Sequence, residues 1–258
     1  ACRAPVPVPA PAPAVSRPRP GPAVGHDGRM RFLFVGDSMT IGRAGDFTWR
    51  YRMWQHLGAS FGAPFRIVGP RSGLYDSEAD APVSYDYAAG PGFPAHARRH
   101  LAGWGVGWQH MSPLIGEAVR AGRADILLIS LGLIDLGFYT DSTRTAHNAR
   151  AFIAEARAAN PRVRAVLLPV IPNVRAESDR AFAAEVDRFN ELLAKAVADL
   201  DRPSSPLLLA SRPPGYDIHR HTYDGTHPSP SGEHRLAAAF ADAMHQAWNL
   251  GAPYEKHD

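Results

Sequence analysis

RFLFVGDSMT, residues Arg31–Thr40, decides how the rest of the chain is read. Its apolar run Phe32-Leu33-Phe34-Val35 is too short for a helix and stops at Gly36, the pattern of a buried parallel strand. Gly36-Asp37-Ser38 then leaves a serine at the carboxyl end of that strand. Open α/β sheets place their ligands at that edge, and a serine there acts as a nucleophile when a base and an orienting acid reach it. Taken alone, the tripeptide reads as a turn that caps a helix. The other parts come from Tyr223–Gly232, YDGTHPSPSG, where Asp224 and His227 stand in one loop before a helix. A carboxylate on one ring nitrogen fixes the tautomer of a histidine and leaves the other nitrogen to take the serine proton.

The segments between these two stretches alternate. Trp49, Met53 and Leu57 recur every fourth residue and predict a helix over Thr48 to Ser60, followed by a short strand over Phe65 to Val68. Ser112 to Ala121 reads as a helix and Asp125 to Leu131, DILLISL, as a buried strand. Asp141 or Ser142 caps a helix that Asn160-Pro161 ends, and Val163 to Val170 is the next strand. An amphipathic helix runs from Ser178 to Leu200 with Phe182, Val186, Phe189, Leu193 and Val197 on one face. Pro206 to Ala210 is the last strand, and a helix from Gly232 to Trp248 follows the Asp224 to His227 loop. Five strands alternating with helices predict an α/β fold: a three-layer αβα sandwich around a parallel sheet. Gly69 to Gly107 has no periodicity and is longer than an ordinary connection, so it is expected to supply part of a substrate pocket.

At 258 residues the chain holds one substantial core, and 45% apolar content is ordinary for a globular protein. The net charge is +3, carried by scattered arginines with only Lys195 and Lys256 as lysines. No basic stripe with interleaved aromatics stands out, which argues against nucleic acid as a partner. No apolar stretch approaches the roughly 20 residues that span a bilayer. Cys2 is the single cysteine, so neither an intramolecular disulfide nor a cysteine metal cluster forms. Of 12 histidines, His96 and His100 are four apart and His219 and His221 alternate, but no HExxH is present, so no metal or other cofactor is expected.

Residues 1–22 hold eight prolines among alanines and valines, the composition of an extended spacer. The expected division is a Pro-rich disordered spacer over 1–28, a catalytic domain over 29–252 and a tail over 253–258. The start at Ala1 without methionine fits a secreted protein lacking its signal peptide, or a trimmed chain, and Ala1-Cys2 would fit a lipoprotein cleavage remnant. A secreted or surface-tethered location is therefore expected.

Gly36-Asp37-Ser38 and Asp224-Gly225-Thr226-His227-Pro228, in this order over residues 31–248, resemble the SGNH, or GDSL, hydrolase family. The resemblance implies a flavodoxin-like sheet, hydrolysis of esters or thioesters, and a triad of nucleophile Ser38, base His227 and orienting Asp224. It also implies an oxyanion hole built from the Ser38 N–H, a glycine and an asparagine. By position before the helix that leads into the third strand, the glycine is Gly105, with Gly103 and Gly73 as alternatives. The family's Gly-x-Asn-Asp block is here Gly132-Leu133-Ile134-Asp135, and Ile134 has no side-chain donor. Another group, such as a backbone N–H, His96 or His100, would complete the hole, or the enzyme would be slower. Asp135 either caps the loop after the third strand or binds substrate, and the capping role is the first reading.

Similarity of Thr48–Arg52, Phe65–Pro70 and His96–Gly105 to secreted carbohydrate acetyl esterases implies a small-molecule or carbohydrate acyl ester as substrate. Tyr75, Tyr85, Tyr87, Trp104 and Trp108 are candidates to stack on sugar faces. An acyltransferase using the same triad, or a secreted binding module that lost catalysis, are the other readings.

Overall fold

The computed structural model describes residues 27–257. The spacer expected over 1–28 lies almost wholly outside the described residues.

Strand β1 (Met30–Gly36) is buried along its whole length. It pairs in parallel with β2 (Phe65–Ile67) through Met30 to Phe32, and with β6 (Ile126–Ser130) through Phe32 to Gly36. Strands β7 (Arg164–Leu167) and β8 (Leu207–Leu209) extend the sheet in the order β2-β1-β6-β7-β8. The five expected strands are therefore present, and their apolar runs belong to strands covered on both faces.

Two helices, α2 (Trp49–Ser60) and α7 (Pro230–Trp248), pack together on one face, and α3 (Trp108–Gly122), α4 (Ser142–Ala159) and α6 (Arg180–Leu200) on the other. Trp49 ties the first layer: its ring stacks on Phe240 at 4.7 Å and meets Phe34 edge-on at 5.1 Å. Trp108 ties the second by an edge contact with Phe152 at 5.1 Å. Asp141 caps α4, one of the two caps that the sequence offers, while Thr48 caps α2 and Asp179 caps α6. No helix among the described residues is long and apolar enough to cross a membrane.

Two departures concern the long segment from Gly69 to Gly107. It contains a hairpin, β3 (Leu74–Asp76) with β4 (Ala81–Ser84), and a two-residue strand β5 (Leu101–Ala102) that pairs with Val35 and Gly36 of β1. Because β6 occupies the other edge of β1, β5 lies on the β2 side and is a sixth strand of the sheet. Strands of two to four residues are too short to leave a periodic signal.

The third departure is the start of α3, four residues before the expected Ser112. The Asp135 carboxylate, in the turn that follows β6, accepts the Trp108 N–H at 3.1 Å and so serves the open N-terminus of α3. Asp135 thus caps a helix 27 residues earlier in the chain rather than its own loop. Gly107 makes room for it, since a Cβ there would lie 2.3 Å from the carboxylate. Pro113 falls inside α3.

Candidate active site

At the end of β1 the chain turns sharply. Gly36 permits this, because a Cβ would come within 2.1 Å of the Thr40 hydroxyl. The Asp37 side chain then accepts the Met39 N–H at 2.9 Å and opens the short helical turn α1 (Ser38–Ile41). Arg50, fully buried on α2, donates to the carbonyls of Thr40 and Ile41, each at 2.9 Å, and holds this turn from behind. Ser38 is fixed by the turn with its side chain facing the loop after β8.

That loop brings Asp224 and His227 to the same rim. Asp224 Oδ1 accepts the N–H groups of Thr226 (3.0 Å) and His227 (2.7 Å), while Oδ2 lies 2.6 Å from His227 Nδ1. His227 Nε2 lies 2.9 Å from Ser38 Oγ. Burial alone would raise the Asp224 carboxyl, but hydrogen bonds from the His227 backbone and ring and the Thr226 N–H offset it and hold the group below the ordinary carboxylate range. An ionised Asp224 accepts from Nδ1–H, so Nε2 carries a lone pair and the Ser38 hydroxyl donates to it.

The cavity beside Ser38 has a volume of about 510 Å³ and is walled by apolar Leu133, Ile134, Phe138 and Phe182 together with polar Tyr139, Asn173, Arg175 and Thr226. Gly105 also lines it, and the Tyr139 hydroxyl fixes the Gly105 carbonyl at 3.0 Å. The N–H groups of Ser38 and Gly105 have no acceptor among the described residues. Gly103 is different, since its N–H donates to the Gly36 carbonyl at 3.2 Å in the sheet. Gly73 is buried away from this cavity against Pro82.

Neither histidine named for the oxyanion hole reaches it. His100 is fully buried, its Nδ1 accepts the Ala102 N–H and its Nε2 donates to the Gly73 carbonyl at 2.8 Å. Burial holds its ring neutral, well below the ordinary histidine range. His96 lines a separate groove at the β2 edge.

The aromatic residues also have other duties. Trp104 stacks on His227 at 4.5 Å and 13°, and on Tyr75 at 4.4 Å and 12°. Tyr75 and His227 do not touch each other, so they occupy opposite faces of the indole and leave neither for a sugar. Tyr223 lies near-parallel to His227 at 5.7 Å, with the Arg43 guanidinium 3.9 Å over its ring. Tyr87 and Trp108 are buried, and Tyr85 alone of the five aromatics remains 60% exposed. The stacking on His227 is the part of the site that sequence reasoning missed, because the pair is 123 residues apart and no spacing signals it. Trp104→Ala is expected to lower kcat about 10- to 100-fold with a smaller change in KM, because a loosened imidazole loses its alignment. Trp104→Phe should restore most of kcat; a loss confined to KM would assign Trp104 to substrate binding instead.

Asp37 gives the site a pH signature. Burial, reinforced by the Asp135 carboxylate, pushes its carboxyl up to about 7. Between the ordinary value near 3.8 and about 7, the folded protein holds a proton that the unfolded chain has lost, so stability falls as pH rises through that window. Asn at this position keeps an acceptor for Met39 and has no charge to bury. The stability of Asp37→Asn relative to wild type should therefore be higher near pH 8 than near pH 5 by about 2 kcal/mol. Urea unfolding at both pH values checks this, and a pH-independent difference would contradict a protonated Asp37.

Residues 34–235 match the sequence profile of the GDSL-like lipase/acylhydrolase family. No curated protein matches the chain at a significant level. Three solved structures share the fold. An acetyl esterase mutant with acetate ion is 21% identical, with TM-score 0.67 over 85% of this chain and 98% of that one. A carbohydrate esterase of family 3 from Talaromyces cellulolyticus is also 21% identical, with TM-score 0.67 and coverage of 85% and 98%. A family 3 carbohydrate esterase from Clostridium thermocellum is 17% identical, with TM-score 0.64 over 86% and 98%.

Proposed function

Because this chain belongs to the GDSL-like lipase/acylhydrolase family, whose members are carboxylic ester hydrolases, we propose that it cleaves acyl esters through an acyl-enzyme on Ser38. The observation that carries the proposal is the continuous relay Asp224–His227–Ser38, at 2.6 and 2.9 Å, built from opposite ends of the chain. In this reading His227 Nε2 takes the Ser38 proton as Oγ attacks the ester carbonyl. The N–H groups of Ser38 and Gly105 receive the negative charge that develops on the carbonyl oxygen. His227 then returns the proton to the leaving alkoxide, which departs as the alcohol. A water deprotonated by His227 attacks the acyl-enzyme, and release of the carboxylic acid restores Ser38.

Ile134 contributes only apolar surface, and Asn173 is the sole carboxamide on the cavity wall. Asn173 is our candidate for the third oxyanion donor. Its amide is partly committed, since Nδ2 donates to the Thr226 hydroxyl at 3.2 Å while its buried Oδ1 is without a partner.

A cavity of about 510 Å³ suits a short acyl group joined to a small or carbohydrate alcohol, and the fold similarity to acetyl and carbohydrate esterases supports that substrate class. The Pro-rich residues preceding the catalytic domain support action outside the cell as a spacer-borne enzyme.

The test is active-site titration with a p-nitrophenyl phosphonate. We expect a burst of one p-nitrophenolate per chain and a single adduct on Ser38 by peptide mass mapping. Full p-nitrophenyl acetate turnover without a Ser38 adduct would overturn the proposal.

A further inference from the structure

Among the described residues a second concavity exceeds the one beside Ser38 in volume. A groove of about 1050 Å³ runs along the β2 edge of the sheet, between that strand, the carboxyl half of α3 and the loops at Gly69–Arg71 and His96–Leu101. Six arginines line it: Arg29, Arg31, Arg66, Arg71, Arg99 and Arg123. Only Arg31 is neutralised, by Asp27 at 2.7 Å. The side chains of Arg29, Arg66, Arg99 and Arg123 are exposed and make no ion pair or hydrogen bond among the described residues. The one acidic lining residue, Glu117, is paired outward with Arg120 at 3.5 Å.

This concentration is not a reflection of overall charge. Residues 27–257 carry 25 basic against 24 acidic side chains, so the folded body is nearly neutral while the groove holds five uncompensated guanidinium groups. Like charges gathered in a concave, low-dielectric wall repel each other and focus a positive field, an arrangement that an anion relieves. Guanidinium forks match carboxylates in bidentate geometry. The chain's own first 26 residues do not fit as the occupant, for they hold Arg3, Arg17 and Arg19 and no acid.

We infer that this groove binds an acidic polysaccharide, its uronate carboxylates seated on Arg29, Arg66, Arg71, Arg99 and Arg123. A nucleic acid fits less well: Phe65, the only aromatic ring besides His96 in the lining, is packed edge-on against Phe32 and Phe61 and offers no platform for bases. A membrane presents a plane, not a strand that enters a cleft. The upper end of the groove adjoins the catalytic rim, because Arg71 donates to the Ala102 carbonyl at 2.8 Å, immediately before the Gly103–Gly105 segment beside Ser38. A polysaccharide lying in the groove is thereby directed toward the cavity. The binding itself does not depend on the catalytic assignment.

The experiment is calorimetric titration of the full chain with a polygalacturonate oligomer, a neutral xylo-oligosaccharide and a single-stranded oligothymidylate of equal charge. Wild type is compared with the triple variant Arg66→Ser, Arg99→Ser, Arg123→Ser. Polygalacturonate should bind most tightly, weaken as salt rises, and lose about tenfold or more in affinity in the triple variant. Turnover of p-nitrophenyl acetate and phosphonate labelling of Ser38 should be unchanged in that variant, which separates failure of this inference from failure of the esterase reading. Absence of polygalacturonate binding, equal affinity in the triple variant, or tighter binding of oligothymidylate would overturn it.

Discussion

Ser38→Ala protein should melt at the wild-type temperature and lose p-nitrophenyl acetate hydrolysis by about 10⁴-fold or more in kcat/KM. The hydroxyl contributes little to the fold. Ser38 is 3% exposed, its Oγ bonds only to His227, and the turn that carries it is held by Asp37 and Arg50 rather than by its own side chain. Alanine fits the same short helical turn without strain. Chemically the loss is complete, because no other hydroxyl in the cavity is bonded to the imidazole of His227. Steady-state kinetics with a thermal melt on the same sample checks both halves. Residual Ser38→Ala activity above about one hundredth of wild type would show that water, activated by His227 alone, carries much of the reaction.

Arg50→Leu has the largest expected effect on stability, a loss of about 3–5 kcal/mol in urea unfolding. Arg50 is 0% exposed and has no carboxylate partner among the described residues. Its charge is met by neutral oxygens: the carbonyls of Thr40, Ile41 and Arg98 and the Tyr87 hydroxyl, at 2.9 to 3.0 Å. Leucine leaves the three carbonyls without this donor, each costing about 1–3 kcal/mol before relaxation, while the Tyr87 hydroxyl keeps its bond to the Ser72 carbonyl. Two of those carbonyls belong to the turn that presents Ser38, so kcat should fall with stability. Arg50→Lys tests the geometry, for an ammonium keeps the charge but not the planar fork and should recover only a minor part. A loss below about 1 kcal/mol for Arg50→Leu would mean that water or side-chain rearrangement satisfies the orphaned oxygens.

Much of the fold was legible before any coordinates. The runs around Phe32–Val35, Ile126–Ile129 and Ala165–Leu167 are continuously apolar because both faces of the sheet are covered by helices, and the cap Asp141 stands where a side-chain acceptor meets an open helix end. The hairpin at Leu74–Ser84, the strand at Leu101–Ala102 and the early start of α3 were not legible. The strand and the helix start depend on partners distant in sequence, β1 and the Asp135 carboxylate, and the hairpin strands are too short to carry an alternation.

The same division holds at the site. Residue types and their order pointed to Ser38, Asp224 and His227 as the groups to bring together, because a proton relay uses those chemical groups and the two short motifs stand in the order of the family they resemble. Sequence also determined that Ile134 has no donor. Tertiary structure decided the rest. It assigned Gly103 to the sheet and left Gly105 facing the cavity, enclosed His100 between backbone partners, and sandwiched Trp104 between Tyr75 and His227. It also gathered Arg29, Arg66, Arg71, Arg99 and Arg123 from four separate segments into one groove, although in sequence they look like scattered composition. Local spacing reports contacts within a turn or a strand, whereas a ring face, a free N–H or a shared field is defined only by what folds against it.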